Sequence, residues 1–146
     1  MSKPLAVKQT IKLIIPAGKA APAPPVGPAL GQKGVKAIDF CKQFNDQTKK
    51  FVQGIPVTTR ITVNPDKSFS FFIRTPPTSW LIKQTLGIEK GSGKPGSVNV
   101  GELSLKHVYA IAQVKQNDPA LQSVKLESIC RRVMGTARNM GVNIVA

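Results

Sequence analysis

The chain has 146 residues and a mass of 15.7 kDa; 21 Lys and Arg against 7 Asp and Glu give a formal charge of +14 and a pI near 10.3. Hydrophobic residues make up 41% of it, enough for one domain or two small ones, which excludes a wholly disordered chain and a large multidomain enzyme. The charge places anionic partners first.

No stretch approaches the roughly 18 apolar residues of a membrane-spanning helix, and the densest run, Leu13-Ile14-Ile15, stops at Pro16. Cys41 and Cys130 lie far apart, and His107 is the single histidine, so no Cys/His set completes a zinc site and a reducing compartment is the simplest expectation. No secretory signal is visible. Residues 1–38 carry Lys3, Lys8, Lys12, Lys19, Lys33 and Lys36 without an acid, resembling a transit peptide in charge only.

From Val7 to Ile15, apolar positions alternate with Lys8, Thr10, Lys12 and Ile14, which predicts a half-buried strand with a basic polar face. Residues 16–28 are proline-rich; without their N–H groups they cannot sit inside a sheet, so a presented loop is expected. After Gly34 a helix of about four turns would bury Ile38, Cys41 and Phe44 and expose Lys36, Asp39, Lys42 and Gln43. Val57–Val63 and Ser68–Arg74, joined by Asn64-Pro65-Asp66-Lys67, read as a hairpin with a type I turn. Val57, Thr59, Ile61 and Val63 should line one face of the first of these strands, and Phe69, Phe71 and Ile73 one face of the second. Together with the first strand this predicts an α+β domain over residues 1–74, a three-stranded antiparallel sheet with a covering helix.

Thr75-Pro76-Pro77 breaks the strand and marks a hinge, with Thr75 a candidate N-cap and Pro76 at the first helical position. Residues 78–146 read as a three-helix domain. A short helix, Ser79–Leu86, ends at Gly87, and a glycine-rich loop, expected to be mobile when unliganded, runs to Ser97. A second helix, from about Ser104 to Lys115, buries Val108, Ile111 and Ala112. The last, from about Ser123, aligns Leu126, Cys130, Val133, Ala137 and Met140 on its apolar side. Residues 1–75 hold 12 basic and 3 acidic groups and residues 76–146 hold 9 and 4, so neither half is a mere basic tail.

Opposite that apolar side, Arg132, Gly135, Thr136 and Asn139 fall at i, i+3, i+4 and i+7, flanked by Arg131 and Arg138. Glycine inside a helix costs about 1 kcal/mol relative to alanine, a penalty that makes sense where another backbone must come close. Thr136 and Asn139 suit 2′-hydroxyls and base edges, and the arginines suit phosphates. A solvated polar face with Gly135 easing packing fits the spacing equally; the net charge favours nucleic acid. Gly91-x-Gly93-x-x-Gly96 matches the dinucleotide fingerprint, but a helix precedes it and Pro95 interrupts it. It fails as a P-loop too, because Pro95 follows Lys94 and Ile88 occupies the first glycine position. What remains is pliable backbone with Lys90 and Lys94, able to order against phosphates or to remain a plain flexible loop. His107 has no assignable acidic or Ser partner, and the carboxylates are scattered, so no enzyme is indicated. Trp80 and Tyr109 read as packing residues.

Pro16-Ala-Gly-Lys-Ala, Pro22-Ala-Pro-Pro-Val-Gly-Pro-Ala-Leu-Gly-Gln32, Phe40-Cys-Lys-Gln-Phe-Asn45, Thr75-Pro-Pro77, Gly87-Ile-Glu-Lys-Gly-Ser-Gly-Lys94 and Gly135-Thr-Ala-Arg-Asn-Met-Gly141 together resemble the bacterial-type ribosomal protein L-eleven family of the large subunit, in order along nearly the whole chain. The resemblance implies a non-enzymatic structural protein without cofactor or metal. Its C-terminal domain would bind large-subunit rRNA at the GTPase-associated centre through Lys90, Gly91, Ser92, Gly93, Lys94, Arg132, Gly135, Thr136, Arg138 and Asn139. Thr75, Pro76 and Pro77 would form the hinge. Pro22, Pro25 and Pro28 would face the rRNA cleft used by thiopeptide antibiotics and factors. Implied partners are rRNA, ribosomal stalk proteins and translational GTPases such as elongation factor G, with no membrane and no homo-oligomer. Many bacterial members carry Ser where Asn139 stands, and this chain is more basic than they are; with its acid-free start, that points toward a mitochondrial ribosome over a bacterial or plastid one. Basic three-helix folds also include helix-turn-helix DNA-binding proteins, the alternative on composition alone; a nucleotide-using enzyme is a third.

Overall fold

The computed structural model describes residues 7–146, so Lys3 lies outside the described residues. They form two compact units that divide between Arg74 and Thr75.

In the first unit, β1 (Gln9–Pro16), β2 (Pro56–Val63) and β3 (Phe69–Arg74) form an antiparallel sheet in the order β1-β2-β3. Strand alternation sends Ile11, Leu13 and Ile15 to the same face as Val57, Thr59, Ile61, Val63, Phe69, Phe71 and Ile73, as the spacing predicts. The β2–β3 turn closes through Lys67 N–H donating to Asn64 O (3.1 Å) and Asn64 N–H donating to Ser68 O (2.9 Å). The helix α1 (Val26–Gly31) takes up the end of the proline-rich segment, which is therefore not loop throughout.

The covering helix, α2 (Ala37–Thr48), buries Phe40, Cys41, Phe44 and Thr48. Phe40 meets Phe71 edge-on at 5.1 Å between ring centroids. Ile38, expected in the core, is 59% exposed, because the buried stripe is centred on Phe40 and Phe44 and Ile38 falls outside it. Burial pushes the Cys41 thiol pKa up, which keeps it protonated and inert in the core. The same helix pins the preceding loop: Thr48 Oγ1 accepts from Gly18 N–H (3.0 Å), Asn45 Oδ1 accepts from Ala20 N–H (3.0 Å), and Asn45 Nδ2 donates to Ala20 O (3.2 Å).

The second unit contains the three expected helices, α3 (Thr78–Leu86), α4 (Leu105–Gln116) and α5 (Leu126–Asn139). They surround Ile82, Val108, Ile111, Ala112, Ile129, Val133 and Ala137. It also contains a two-stranded parallel sheet, β4 (Gly101–Ser104) paired with β5 (Val142–Val145), which the sequence pattern did not disclose. Four-residue strands are too short to show alternation, and their pairing joins segments about forty residues apart. Ile129 is a further core residue that the helical stripe omitted. Tyr109, expected to pack, is 49% exposed on α4.

Thr75 does not cap α3; Pro77 holds that position. Thr75 N–H and Oγ1 instead donate to the two carboxylate oxygens of Asp118, at 2.7 and 2.9 Å. Lys115 Nζ completes the knot by donating to Asp118 Oδ2 (3.0 Å), Thr75 Oγ1 (2.8 Å) and Pro76 O (3.3 Å). Burial opposes ionisation of Asp118, but the hydrogen bonds from Thr75 and Lys115 and the lysine charge outweigh it and hold the carboxyl below the usual range.

Candidate nucleic-acid interface

The amphipathic pattern of α5 buries Ile129, Val133 and Ala137, and this fixes what its other side presents. Arg132, Gly135 and Asn139 are exposed and Thr136 is half-buried beside them, so the four share one accessible stripe. A Cβ built on Gly135 meets nothing within 4 Å, which removes internal packing as the reason for glycine there. The open face admits a foreign backbone. Thr136 Oγ1 donates to Arg132 O (3.0 Å), so its hydroxyl hydrogen is already used and the oxygen faces partners as an acceptor.

The three arginines are not equivalent. Arg131 donates to Glu127 at 2.5 Å, an exposed i, i+4 pair that neutralises it. Among the described residues, Arg132 and Arg138 have no carboxylate partner. Arg138 also lies in the last turn of α5, where a cation complements the helix dipole.

The glycine-rich loop reaches the same end of α5 from far away in sequence. Ser92 N–H donates to Met140 O (2.9 Å), Val100 N–H donates to Gly141 O (2.9 Å), and a Cβ on Gly91 would stand 3.3 Å from Met140 O. Gly141 is required twice over. Its φ is +76°, and a side chain would collide with Val98 O at 2.8 Å and with Ser92 Cβ. A cleft of about 500 Å³ results, lined by Gly96, Ser97, Val98, Asn99, Arg138 and Asn143 among others. Lys90, Gly93 and Lys94 are exposed in the same glycine-rich loop, and Ser92 Oγ accepts from Lys94 N–H (3.1 Å). The loop and the Arg138 end of α5 thus share one cleft, which Arg132, Gly135, Thr136 and Asn139 do not line. Asn99 and Asn143 belong to it and were not foreseen; only the β4–β5 pairing brings them there.

In the N-terminal unit, Pro22 and Pro28 line one apolar cleft of about 680 Å³, with Gly27, Val35 and Ile38. Pro25 lines a neighbouring cleft of about 240 Å³ instead. His107, without an assignable partner in the sequence, has Ser104 Oγ 3.0 Å from Nδ1; Ser104 caps α4, and among the described residues no third group hydrogen-bonds the pair. Among the described residues no cluster of His, Cys, Asp or Glu could hold a metal ion.

A family model described as "Ribosomal protein L11, RNA binding domain" matches residues 74–144, and a second, "Ribosomal protein L11, N-terminal domain", matches residues 11–69. The chain belongs to the ribosomal protein L11 family. It is therefore a structural constituent of the large ribosomal subunit that binds rRNA, and not an enzyme. It is 56% identical over 135 residues to the "Large ribosomal subunit protein uL11m" of Schizosaccharomyces pombe, covering 92% of this chain and 94% of that protein. It is 48% identical over 130 residues to the protein of the same name from Caenorhabditis elegans, covering 89% and 66%. These matches give no support to the helix-turn-helix alternative. The RNA-binding family model spans both the α5 stripe and the glycine-rich loop.

Proposed function

We propose that the C-terminal unit grips folded rRNA of the GTPase-associated centre with Lys90, Gly91, Ser92, Gly93, Lys94, Arg132, Gly135, Thr136, Arg138 and Asn139. The observation that carries this reading is Gly135, a glycine in the middle of an exposed helix face with open space where its side chain would be. The fold gains nothing from it, and an approaching ribose or phosphate does. Arg132, Arg138, Lys90 and Lys94 supply cations for phosphates, while Thr136 and Asn139 offer acceptors and donors to 2′-hydroxyls and base edges.

The N-terminal unit, residues 1–74, then works as a movable arm on Thr75-Pro76-Pro77. Its Pro22, Pro25 and Pro28 face the rRNA cleft where thiopeptide antibiotics and translational GTPases such as elongation factor G act, close to the stalk proteins. The Asp118–Lys115 knot ties Thr75 and Pro76 to the C-terminal unit, so within this hinge the pivot lies at its first bond, the Arg74–Thr75 junction. The names of the relatives support placing this arm in the mitochondrial large subunit.

The test is reconstitution into large subunits lacking this protein, followed by hydroxyl-radical footprinting. Protection of rRNA that disappears with Gly135→Leu while the variant stays folded is the expected result. A wild-type α5 stripe that remains open to solvent in the assembled particle overturns the reading.

A further inference from the structure

The sheet of the N-terminal unit buries its inner face under α2, while its outer face carries a pattern that the fold does not explain. Register sets Lys12 directly opposite Arg60, and Arg60 directly opposite Phe72, in one row across the three strands. The adjoining rows are Thr10, Thr62 and Ser70 on one side and Ile14, Thr58 and Arg74 on the other. Lys12 and Arg60 are exposed, Phe72 is 39% exposed, and the Arg74 guanidinium stands 5.3 Å from the centre of the Phe72 ring.

Like charges directly opposite on neighbouring strands destabilise a sheet. Among the described residues neither Lys12, Arg60 nor Arg74 pairs with a carboxylate, and no strand position of this face is acidic. Among the described residues no carboxylate offsets that repulsion, so the face favours an anion from outside. We propose that this face docks single-stranded RNA, as a contact separate from the α5 surface. Lys12 and Arg60 hold the phosphates, and a base stacks on the Phe72–Arg74 platform. The Thr10, Thr62 and Ser70 hydroxyls reach the sugar edge. An acidic protein segment would satisfy the cations but has no use for an aromatic ring framed by guanidinium groups, whereas a polynucleotide brings negative charge and π-faces together.

Amide NMR of the full chain titrated with a short oligouridylate tests this, repeated with Gly135→Leu so that loss of the α5 surface leaves the result readable. The largest shifts should fall on Lys12, Arg60, Phe72 and Arg74 in both proteins. The salt dependence of binding should weaken by about 0.7 in log K per log salt for each of Lys12→Gln and Arg60→Gln. Phe72→Leu should lower affinity about fivefold or more. Shifts confined to α5 and the glycine-rich loop would overturn the proposal. So would displacement of the oligouridylate by an equal concentration of polyglutamate with Phe72→Leu having no effect, which would assign the face to an acidic protein.

Discussion

Replacing Gly135 separates folding from binding more cleanly than any other change in this molecule. The residue lies inside α5, an L-residue's Cβ meets nothing within 4 Å beyond its chain neighbours and its own helix backbone, and its backbone is helical, so alanine fits without strain. Alanine is better than glycine in a helix interior by about 0.8–1 kcal/mol, so Gly135→Ala should make the C-terminal unit more stable by about that amount. Leucine, nearly as good a helix former, should be at least neutral for folding. Both intrude on the face where RNA approaches, leucine by several heavy atoms, and binding should weaken by on the order of 1–3 kcal/mol, with leucine worse than alanine. Trp80, the single tryptophan, sits in α3 of the same unit and reports its urea unfolding by fluorescence. Anisotropy with a labelled rRNA fragment of the GTPase-associated centre gives affinity. If Gly135→Leu binds that fragment as tightly as the wild type, or if it loses stability in parallel with affinity, the argument from open space is wrong.

Thr136→Ala should weaken binding to the same fragment by about 1–3 kcal/mol, while the loss of its bond to Arg132 O changes urea stability little, a contrast that paired anisotropy and unfolding curves will show. Arg132→Gln and Arg138→Gln should each reduce the slope of log K against log salt by nearly one, whereas Arg131→Gln, already paired with Glu127, should leave it unchanged. Asp118→Ala removes the partner of a lysine whose side chain is only 14% exposed and should destabilise the C-terminal unit by about 3 kcal/mol at neutral pH. Because folding lowers the Asp118 pKa, its contribution is complete above the unfolded value of about 3.9 and is lost as pH falls through the folded value. The difference in melting temperature between wild type and Asp118→Ala should therefore shrink in acid; a gap that widens there would refute the assignment.

Much of this protein was readable from local pattern. Period-two alternation identified the three N-terminal strands and their inward faces, because each strand buries one side, and Asn64-Pro65-Asp66-Lys67 marked the turn between two of them. Spacing along α5 gave both its buried side and the stripe opposite, since a helix that buries Val133 and Ala137 must present Arg132, Gly135 and Asn139 elsewhere. Local pattern misplaced Ile38 and Tyr109, whose exposure depends on which neighbours cover the helix and not on the helix itself.

What the linear chain alone determined was the identity and periodicity of its elements: strands, helices, a proline-rich segment, a basic excess and a glycine in an exposed helical stripe. Only the tertiary structure decided that β4 pairs with β5 and folds the loop around Ser92 against Met140, and that Asp118 ties down Thr75. Each of these joins residues roughly forty or more positions apart through hydrogen bonds that leave no periodic trace in the sequence. The same distinction holds on the outer sheet face, where Lys12 and Arg60 become neighbours through strand register alone.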